Sequence, residues 1–294
     1  MTSGKSIFVH AGAQRTGTSS FQMCLAINRK ALKAQGFDLA YPGRDGIKKG
    51  RLGLRLPSPR HGTRRQADFA AKVAGEVAAH SPDPARALIL SEENIPGPMQ
   101  HFRRGKFYPP AAARFAALAE GLGAVAHLVY VVRSYGPLYV SAYRKRAEDH
   151  PMAPFAQEAA VRMQIDEGWP ELVEKMRDII RPARLTVIEY GARGTSVDLL
   201  RRLVPGLDDL ALREPERTVN RSATDAALIE LQRRYGAGET LKRREWKAVV
   251  GEHADRTESL GFAEFEPADA RRLEARYAAD LDRLGAMEGI TLIR

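Results

Sequence analysis

A glycine-rich turn near the start of the chain has the residue types that bind an oxyanion. It reads His10-Ala-Gly-Ala-Gln-Arg-Thr-Gly-Thr-Ser-Ser20 and lies between the apolar run Ile7-Phe8-Val9 and an amphipathic helical pattern. Gly12 and Gly17 allow a close approach of the backbone, and the hydroxyls of residues 18–20 lie beside the unpaired N–H groups of a first helical turn. The stretch therefore predicts a site for a phosphate or sulfate group.

The turn differs from the usual nucleoside triphosphate loop. Gly12 and Gly17 have the spacing of the ATPase pattern G-x-x-x-x-G-K-[ST], but Thr18 stands where the phosphate-reaching lysine belongs. The positive charge is instead at Arg15, whose guanidinium can lie along a bridging oxygen between two anionic groups. An ordinary strand-to-helix turn with a serine or threonine N-cap is the structural alternative.

A second pair of residues can bind a phosphate further along the chain. The apolar run Ala126-His-Leu-Val-Tyr-Val-Val132 predicts a strand that ends at Arg133, and a helix with proline in its first turn begins at Gly136. Ser141 lies one to two turns into that helix. Arg133 and Ser141 can converge on one phosphate, although a surface arginine and a helix serine bonded to its own backbone would have the same spacing.

Carboxylates follow another predicted strand, Ala87-Leu-Ile-Leu90, which ends in Ser91-Glu92-Glu93-Asn94. Ligands gather at the carboxyl ends of strands in open α/β sheets, so Glu92 and Glu93 are candidates for chemistry, or else caps and surface residues. The basic segment 41–65, which contains His61, is either an electropositive flap over an anionic acceptor or a solvated surface loop.

The elements that must position these residues alternate between strand and helix. Strands are predicted at 7–9, 87–90, 126–132 and 184–189, with helices at about 66–79, 111–120, 154–180 (broken at Trp169-Pro170) and through 199–203. This order predicts an α/β fold, a P-loop-type parallel sheet flanked by helices on both faces. Residues 1–213 form the predicted core, and residues 214–294 form a helical extension packed on it, with helices at about 223–235 and after Pro267.

Composition restricts the partners. The chain has 294 residues, a formal net charge of +10 and one cysteine, Cys24, and no run approaches the length of a membrane span. An excess of positive charge favours anionic partners, and the absence of nucleic-acid-binding motifs makes nucleic acid a minor alternative. We expect a cytoplasmic protein without a metal site, whose acceptor is an anionic small molecule or glycan; the sequence does not determine the oligomeric state.

Together these motifs resemble the sulfotransferase superfamily, which transfers sulfuryl groups from 3′-phosphoadenosine-5′-phosphosulfate (PAPS) and releases 3′,5′-adenosine bisphosphate (PAP). The 5′-phosphosulfate loop of the family, P-K-[ST]-G-T-[ST], is matched by Gln14-Arg-Thr-Gly-Thr-Ser19, and its 3′-phosphate motif is matched by Arg133 and Ser141. The bacterial polysaccharide-type branch is also similar at Asn28-Arg29, Gly36, Tyr41-Pro42, Ser91-Glu92 and Asn220-Arg-Ser222. Arginine replaces the loop lysine, and Gln14 replaces the loop proline.

The resemblance implies roles for particular residues. The donor-binding set comprises Gln14, Arg15, Thr16, Gly17, Thr18, Ser19, Ser20, Arg133, Ser141 and Tyr190. Arg15 is expected to bind the leaving oxygen, and Tyr190 to meet the adenine base. Glu92 is the nearest match to the family's general base, with Glu93 and His61 as its rivals. Asn220 and Ser222 are weaker candidates for the nucleotide site, and His10 and His127 are expected to be structural.

The function that the resemblance implies is PAPS-dependent transfer of a sulfuryl group to a hydroxyl or amine by in-line displacement. Two alternatives remain at this point. One is an ATP-dependent phosphoryl-transfer enzyme, against which the missing loop lysine counts. The other is a non-catalytic scaffold whose turn holds a phosphorylated partner.

Overall fold

The computed structural model describes residues 5–61, 65–216 and 222–294 and contains one six-stranded sheet, all parallel, in the order β2-β3-β1-β4-β5-β6. Its strands are β1 (Ile7–Gly12), β2 (Phe37–Ala40), β3 (Ala87–Ser91), β4 (His127–Val132), β5 (Leu185–Glu189) and β6 (Thr291–Ile293). The predicted α/β class is therefore confirmed.

Helices cover both faces of this sheet. They are α1 (Thr18–Ile27), α2 (Arg29–Ala34), α3 (Gln66–His80), α4 (Ala111–Leu122), α5 (Tyr135–Ala147), α6 (Phe155–Met163), α7 (Trp169–Ile180), α8 (Ser196–Leu203), α9 (Asp225–Gly236), α10 (Arg243–Glu252) and α11 (Pro267–Ala286). Alternate strand residues serve the two faces. In β4, for example, Tyr130 belongs to the core layer that includes residues of α7 and α11, whereas Val129 and Val131 belong to the layer that includes residues of α1 and α8.

The strand order creates a crevice at the carboxyl end of β1. This strand pairs with β3 on one side and β4 on the other, so that His10 lies opposite Ser91 and Gly12 lies opposite Val131. In open α/β sheets, ligands bind where the chain connections leave a central strand in opposite directions. The turn after β1, the acidic segment after β3 and Arg133 after β4 therefore share one edge of the sheet.

Three elements were not predicted from the sequence: strands β2 and β6 and helix α10. The predicted helical region 154–180 divides into α6 and α7, and α7 begins at the predicted break, Trp169-Pro170. The sequence of β2 is not a continuous apolar run, because it contains Asp38, which is buried and ion-paired to Arg86 at 3.2 Å. Strand β6 has three residues, and α10 buries only Val249. Short or mostly polar elements give weak hydrophobic periodicity.

The C-terminal segment is integrated with the core. Strand β6 pairs with β5, and α11 packs on α5 and α7 through the stripe Leu273, Tyr277, Leu281 and Leu284. Near the predicted boundary at residue 213, the Asn28 side chain both donates to and accepts from the backbone of Arg213, at 2.8 Å each. No helix in the described part of the chain is both long and apolar enough to cross a membrane.

Two buried histidines occupy the sheet and are hydrogen-bonded within it. His10 Nδ1 lies 2.9 Å from Ser91 Oγ, and the two ring nitrogens of His127 contact the Leu203 carbonyl and the Thr186 hydroxyl at 2.8 Å each. Burial lowers the pKa of both rings, that of His10 from 6.5 to about 3. Burial therefore favours the neutral form of both histidines, which agrees with a structural role.

These histidines predict a pH dependence of stability. In the unfolded chain His10 binds a proton below its ordinary pKa of 6.5, whereas in the native chain it does so only near about pH 3. The free energy of unfolding that burial of the neutral ring contributes is therefore fully present above pH 6.5 and is lost as the pH falls from 6.5 toward about 3. The loss reaches ~1.4 kcal/mol per pH unit for one such group. Urea unfolding should show a shallower decline between about pH 7 and pH 5 for His10→Gln than for the wild type. Parallel pH profiles would contradict this assignment.

Candidate functional site

The turn after β1 has the backbone geometry of an anion site. Gly17 is the N-cap of α1 with φ of 83° and no side-chain cap, and the first N–H groups of a helix have no acceptor within the helix. Thr16 Oγ1 donates to the Ala13 carbonyl at 2.6 Å and closes the turn internally. Thr18 Oγ1 is buried and has no partner within the described residues. The start of the helix therefore offers backbone N–H groups and the Thr18 hydroxyl to a ligand.

Gln14 fixes the turn to the segment that follows β3. Its amide is buried; Nε2 donates to the Gly97 carbonyl at 2.9 Å and to Asn94 Oδ1 at 3.1 Å, and Oε1 accepts from the Tyr108 hydroxyl at 2.6 Å. A proline at position 14 would rigidify the backbone directly. Here a side chain with three hydrogen bonds restrains the turn instead.

Arg133 connects the two predicted anion motifs. Its Nη1 donates to the backbone carbonyl of Arg15 at 2.9 Å, and its own carbonyl accepts from the indole N–H of Trp169 at 2.9 Å. The Arg133 guanidinium also lies 5.5 Å from the centre of the half-exposed Tyr190 ring. The end of β4 and the turn after β1 therefore form one site, with Tyr190 at its border.

Arg193 is a site residue that the sequence reasoning missed. Its guanidinium carbon would lie 3.1 Å from a Cβ at Gly17, and its Nη2 lies 3.4 Å from the Gly17 carbonyl and 3.1 Å from Ser196 Oγ. Its Nε is buried without a partner among the described residues. The only available sequence signal was its position soon after β5, at the carboxyl edge of the sheet.

Positive charge is concentrated at this site. Within the described ranges, Arg15, Arg133 and Arg193 make no ion pair with a carboxylate. Burial lowers the pKa of Arg133, and the nearby charge of Arg15 lowers it further, whereas Tyr190 opposes the shift. Burial likewise lowers the pKa of Arg193. Glu214 lies near enough to Arg193 to raise its pKa in part, but none of the three partly buried guanidiniums forms an ion pair among the described residues, which favours a bound anion.

Ser141 lies on the face of α5 that is directed toward the start of α9. One turn later on this face, Arg144 is ion-paired to Asp225 and donates to the Ala223 carbonyl at 2.6 Å. The preceding residue, Ser222, accepts a hydrogen bond from the Arg15 guanidinium. Ser141 is half-buried. The segment beginning at residue 222 thus borders both Arg15 and the helix face that carries Ser141.

Glu92 is held more firmly than the sequence suggested. It is 4% exposed; one carboxylate oxygen is ion-paired to Arg44 and the other accepts from the Asn94 N–H at 2.9 Å. Arg44 also lies 3.6 Å from the less buried Glu93 carboxylate. Arg44 belongs to the basic segment, so these contacts place that segment beside the candidate base. The spacing of these residues along the chain did not indicate this contact.

His61 has local partners. Its Nδ1 accepts from the backbone N–H of Ser58 at 3.0 Å, and its ring packs on Phe69 of α3 at 4.9 Å between ring centres. Within the described residues, the hydrogen bonds and ring contacts of His61 therefore do not involve the turn after β1. Arg114 nevertheless holds this loop near β3, because it donates to the carbonyls of Pro57 at 2.7 Å and Asn94 at 2.6 Å.

Two further sequence-based candidates differ in outcome. Ser222 contacts Arg15, as described above. Asn220 lies outside the described residues, as do positions 62–64 of the basic segment. No group of three or more histidine, cysteine, aspartate or glutamate side chains with metal-binding geometry occurs in the ranges that the structure describes.

Gly17 provides a test of the turn geometry. Alanine at this position must adopt φ of 83° and place its Cβ 3.1 Å from the Arg193 guanidinium. We expect Gly17→Ala to reduce the free energy of unfolding by ~1–2 kcal/mol. The matched control is Gly75→Ala in α3, where a Cβ meets no atom within 4 Å and helix propensity favours alanine. Urea unfolding that shows equal effects of the two changes would contradict this geometry.

Comparison of the chain with models of protein families gives no match, and comparison with curated protein sequences gives no significant relative.

Proposed function

We propose that this protein is a sulfotransferase that uses PAPS as donor and a hydroxyl or amine as acceptor. The observation that carries the proposal is the hydrogen bond of 2.9 Å from Arg133 to the Arg15 carbonyl, which brings the two predicted anion motifs into one site. PAP has phosphates on both its 3′ and 5′ positions, so a donor of this kind requires two neighbouring anion subsites. Arg15, Arg133 and Arg193, which form no ion pair among the described residues, supply positive charge for both subsites.

The residues present fit this donor. The buried Thr18 hydroxyl, which has no partner among the described residues, and the first N–H groups of α1 are suited to the 5′-phosphosulfate, as is the Arg15 side chain. Arg133 and Ser141 are suited to the 3′-phosphate, and the exposed ring of Tyr190 offers a surface for the base. Each of the three parts of the donor, the 5′-phosphosulfate, the 3′-phosphate and the adenine base, therefore has its own set of residues.

When bound, PAPS supplies the sulfuryl group: the bond between sulfur and the acceptor atom forms while the bond from sulfur to the bridging oxygen breaks, and PAP leaves. Arg15, the N–H groups at the start of α1 and the Thr18 hydroxyl bind the negative charge that develops on the bridging oxygen. Because this charge is larger in the transition state than in the ground state, these donors accelerate the reaction. Arg193 holds the Gly17 carbonyl and so positions the turn.

The acceptor must lose a proton during transfer. Glu92 accepts this proton once Arg44 releases its carboxylate, and Glu93 is the alternative because it is less buried and also lies beside Arg44. Movement of the basic segment that carries Arg44 would therefore accompany acceptor binding. Glu92→Gln and Glu93→Gln, measured separately, identify which carboxylate serves as the base.

The experiment that tests the proposal is a transfer assay with PAPS and a panel of glycans, phenols and amines. The expected result is release of PAP together with a sulfated product, for at least one class of acceptor. Hydrolysis of ATP with Mg²⁺, without sulfuryl transfer to any acceptor, would instead favour the phosphoryl-transfer alternative. Binding of PAP with no turnover for any acceptor class would favour the scaffold.

A further inference from the structure

The segment that joins β4 to α5 is bonded to the C-terminal helix. Ser134 is the N-cap of α5, but within the described residues its hydroxyl does not cap that helix and donates instead to the Glu274 carboxylate of α11 at 2.7 Å. Tyr135, the next residue, is buried, and its hydroxyl donates to the Asp280 carboxylate of α11. Two consecutive side chains that follow Arg133 are therefore held by α11.

Trp169, at the start of α7, connects Tyr135 to Arg133. Its backbone N–H donates to the Tyr135 hydroxyl at 2.8 Å, and its indole N–H donates to the Arg133 carbonyl at 2.9 Å. The Trp169 and Tyr135 rings also stack, with their centres 5.8 Å apart and their planes at 8°. A continuous series of hydrogen bonds therefore runs from Asp280 to the backbone of Arg133. We refer to Asp280, Tyr135 and Trp169 as the supporting path.

Close packing restricts the supporting path, whose three residues are all buried. A Cβ at Gly168 would collide with the Tyr135 hydroxyl and would lie 2.7 Å from the Asp280 carboxylate, so the path occupies the space that a side chain at this position would need. The Arg276 guanidinium lies 4.8 Å from the centre of the Tyr135 ring and donates to the carbonyls of residues 166 and 167 at 2.8 and 2.7 Å. Densely packed and hydrogen-bonded groups of this kind resist displacement.

The Arg133 side chain extends from the backbone that the supporting path fixes. One of its N–H groups donates to the Arg15 carbonyl at 2.9 Å, and within the described residues the guanidinium makes no other hydrogen bond. The remaining N–H groups are available to a phosphate. A guanidinium whose backbone is already fixed loses less conformational entropy when it binds a ligand, so it contributes more to affinity than a mobile arginine would.

We propose that Trp169 and Asp280 are positioning residues of the 3′-phosphate subsite, an inference that rests on the proposed sulfotransferase function. Trp169 fixes the backbone of Arg133, and Asp280 holds Trp169 through the Tyr135 hydroxyl. The C-terminal helix thereby acts on the donor site through two residues of the core. Because only the 3′-phosphate depends on the Arg133 guanidinium, the supporting path raises the affinity for PAP more than the affinity for AMP.

Trp169→Phe tests the contact with Arg133. Phenylalanine retains a ring for the stack with Tyr135 but has no N–H for the Arg133 carbonyl. Calorimetric titration should show PAP affinity reduced by about three- to tenfold and AMP affinity within about twofold of the wild type. Trp246→Phe is the matched control, because Trp246 on α10 packs in a different apolar cluster from Trp169, and it should leave both affinities unchanged. A ratio of PAP to AMP affinity that Trp169→Phe leaves at the wild-type value would overturn the proposal.

Two further variants separate positioning from a general loss of structure. Tyr135→Phe removes only the hydroxyl of the path and should lower the same ratio, and urea unfolding shows that each titrated variant is folded. Once the Arg133 guanidinium is absent, its position no longer affects binding. Trp169→Phe combined with Arg133→Ala should therefore lower PAP affinity by no more than about twofold below that of Arg133→Ala alone. Losses that add in the double variant would overturn the proposal.

Asp280 is tested by three substitutions on α11. Asp280→Ala removes the acceptor of the Tyr135 hydroxyl and should lower the ratio of PAP to AMP affinity by about threefold or more. Asp280→Asn keeps an acceptor oxygen and should retain most of the ratio. Asp282→Asn removes one negative charge from the same helix, at a side chain that is 75% exposed, and should leave the ratio unchanged. A loss in either asparagine variant as large as that in Asp280→Ala would overturn the role of the hydrogen-bonded path.

The wild-type titrations distinguish a failure of this inference from a failure of the proposed function. A preference for PAP that persists at the wild-type level in folded Trp169→Phe, Tyr135→Phe and Asp280→Ala would overturn the supporting path and leave the donor site supported. Equal affinities of the wild type for PAP and AMP would overturn the proposed donor and, with it, this inference.

Discussion

Arg15→Ala is expected to reduce kcat for sulfuryl transfer by about 10²–10³-fold, with a much smaller change in the affinity for PAP. The Arg15 side chain is directed along the turn toward Ser222, whereas its carbonyl accepts the hydrogen bond from Arg133. Truncation at Cβ therefore removes the charge that stabilises the leaving oxygen and retains the backbone contact. The backbone at position 15 has φ of 68°, a left-handed conformation that alanine and arginine both adopt at a similar energetic cost.

Arg15→Lys distinguishes charge from geometry. Lysine retains the positive charge but lacks the planar fork, so we expect it to recover part of the lost kcat. Arg243→Ala, at an exposed position of α10, is the matched control and should leave kcat unchanged. A steady-state assay of PAP release measures all three variants. Turnover by Arg15→Ala close to the wild-type value would remove Arg15 from the mechanism.

Arg133→Ala is expected to weaken PAP binding by about 10–100-fold, and AMP binding much less. Only PAP has a 3′-phosphate for the guanidinium, so the ratio of the two affinities reports this contact. A modest loss of AMP affinity is also expected, because Arg133 no longer holds the Arg15 carbonyl. Isothermal titration calorimetry with both nucleotides measures the ratio directly.

Ser141→Ala provides the companion measurement. Loss of one hydroxyl donor should reduce PAP affinity by about three- to tenfold and leave AMP affinity unchanged. When both residues contact one phosphate, the double variant should lose less than the sum of the single losses, because the two sites are coupled. If PAP and AMP affinities fell in parallel in Arg133→Ala, the arginine would have only a structural role in the turn.

The strands and turns that bear the motifs could be predicted because their signals are local. The apolar runs of β1, β3, β4 and β5 are buried on both faces, and Gly17 marks the start of α1 in both sequence and structure. The break between α1 and α2 at Asn28 was not visible, because residues 21, 25, 28 and 32 share one apolar face across it. At this break the Asn28 side chain donates to the distant Arg213 carbonyl, a contact that leaves no local sequence pattern.

The site itself was predicted only in part. Arg15, Arg133 and the hydroxyl residues of the turn belong to recognisable spacings, and Arg133 does lie against the turn. Arg193, Arg44 and the Tyr108 hydroxyl reach the site from other elements, through contacts that span 176, 48 and 94 positions respectively. Such contacts depend on strand order, which alternation of helices and strands does not specify.

The identity of the general base could likewise be predicted only in part from the sequence. Sequence placed Glu92 at a strand end but did not reveal that Arg44 and the Asn94 N–H occupy its oxygens. Position along the chain identifies which carboxylates reach an edge of the sheet. Their availability as proton acceptors depends on neighbours from loops, which only the folded arrangement provides.

The most direct test of the account is calorimetric titration of the wild-type protein with PAP and with AMP under identical salt conditions. Two connected anion subsites predict that PAP binds at least about tenfold more tightly than AMP, since Arg133 and Ser141 gain a partner only from the 3′-phosphate. Equal affinities for the two nucleotides, or binding of neither, would contradict the donor site.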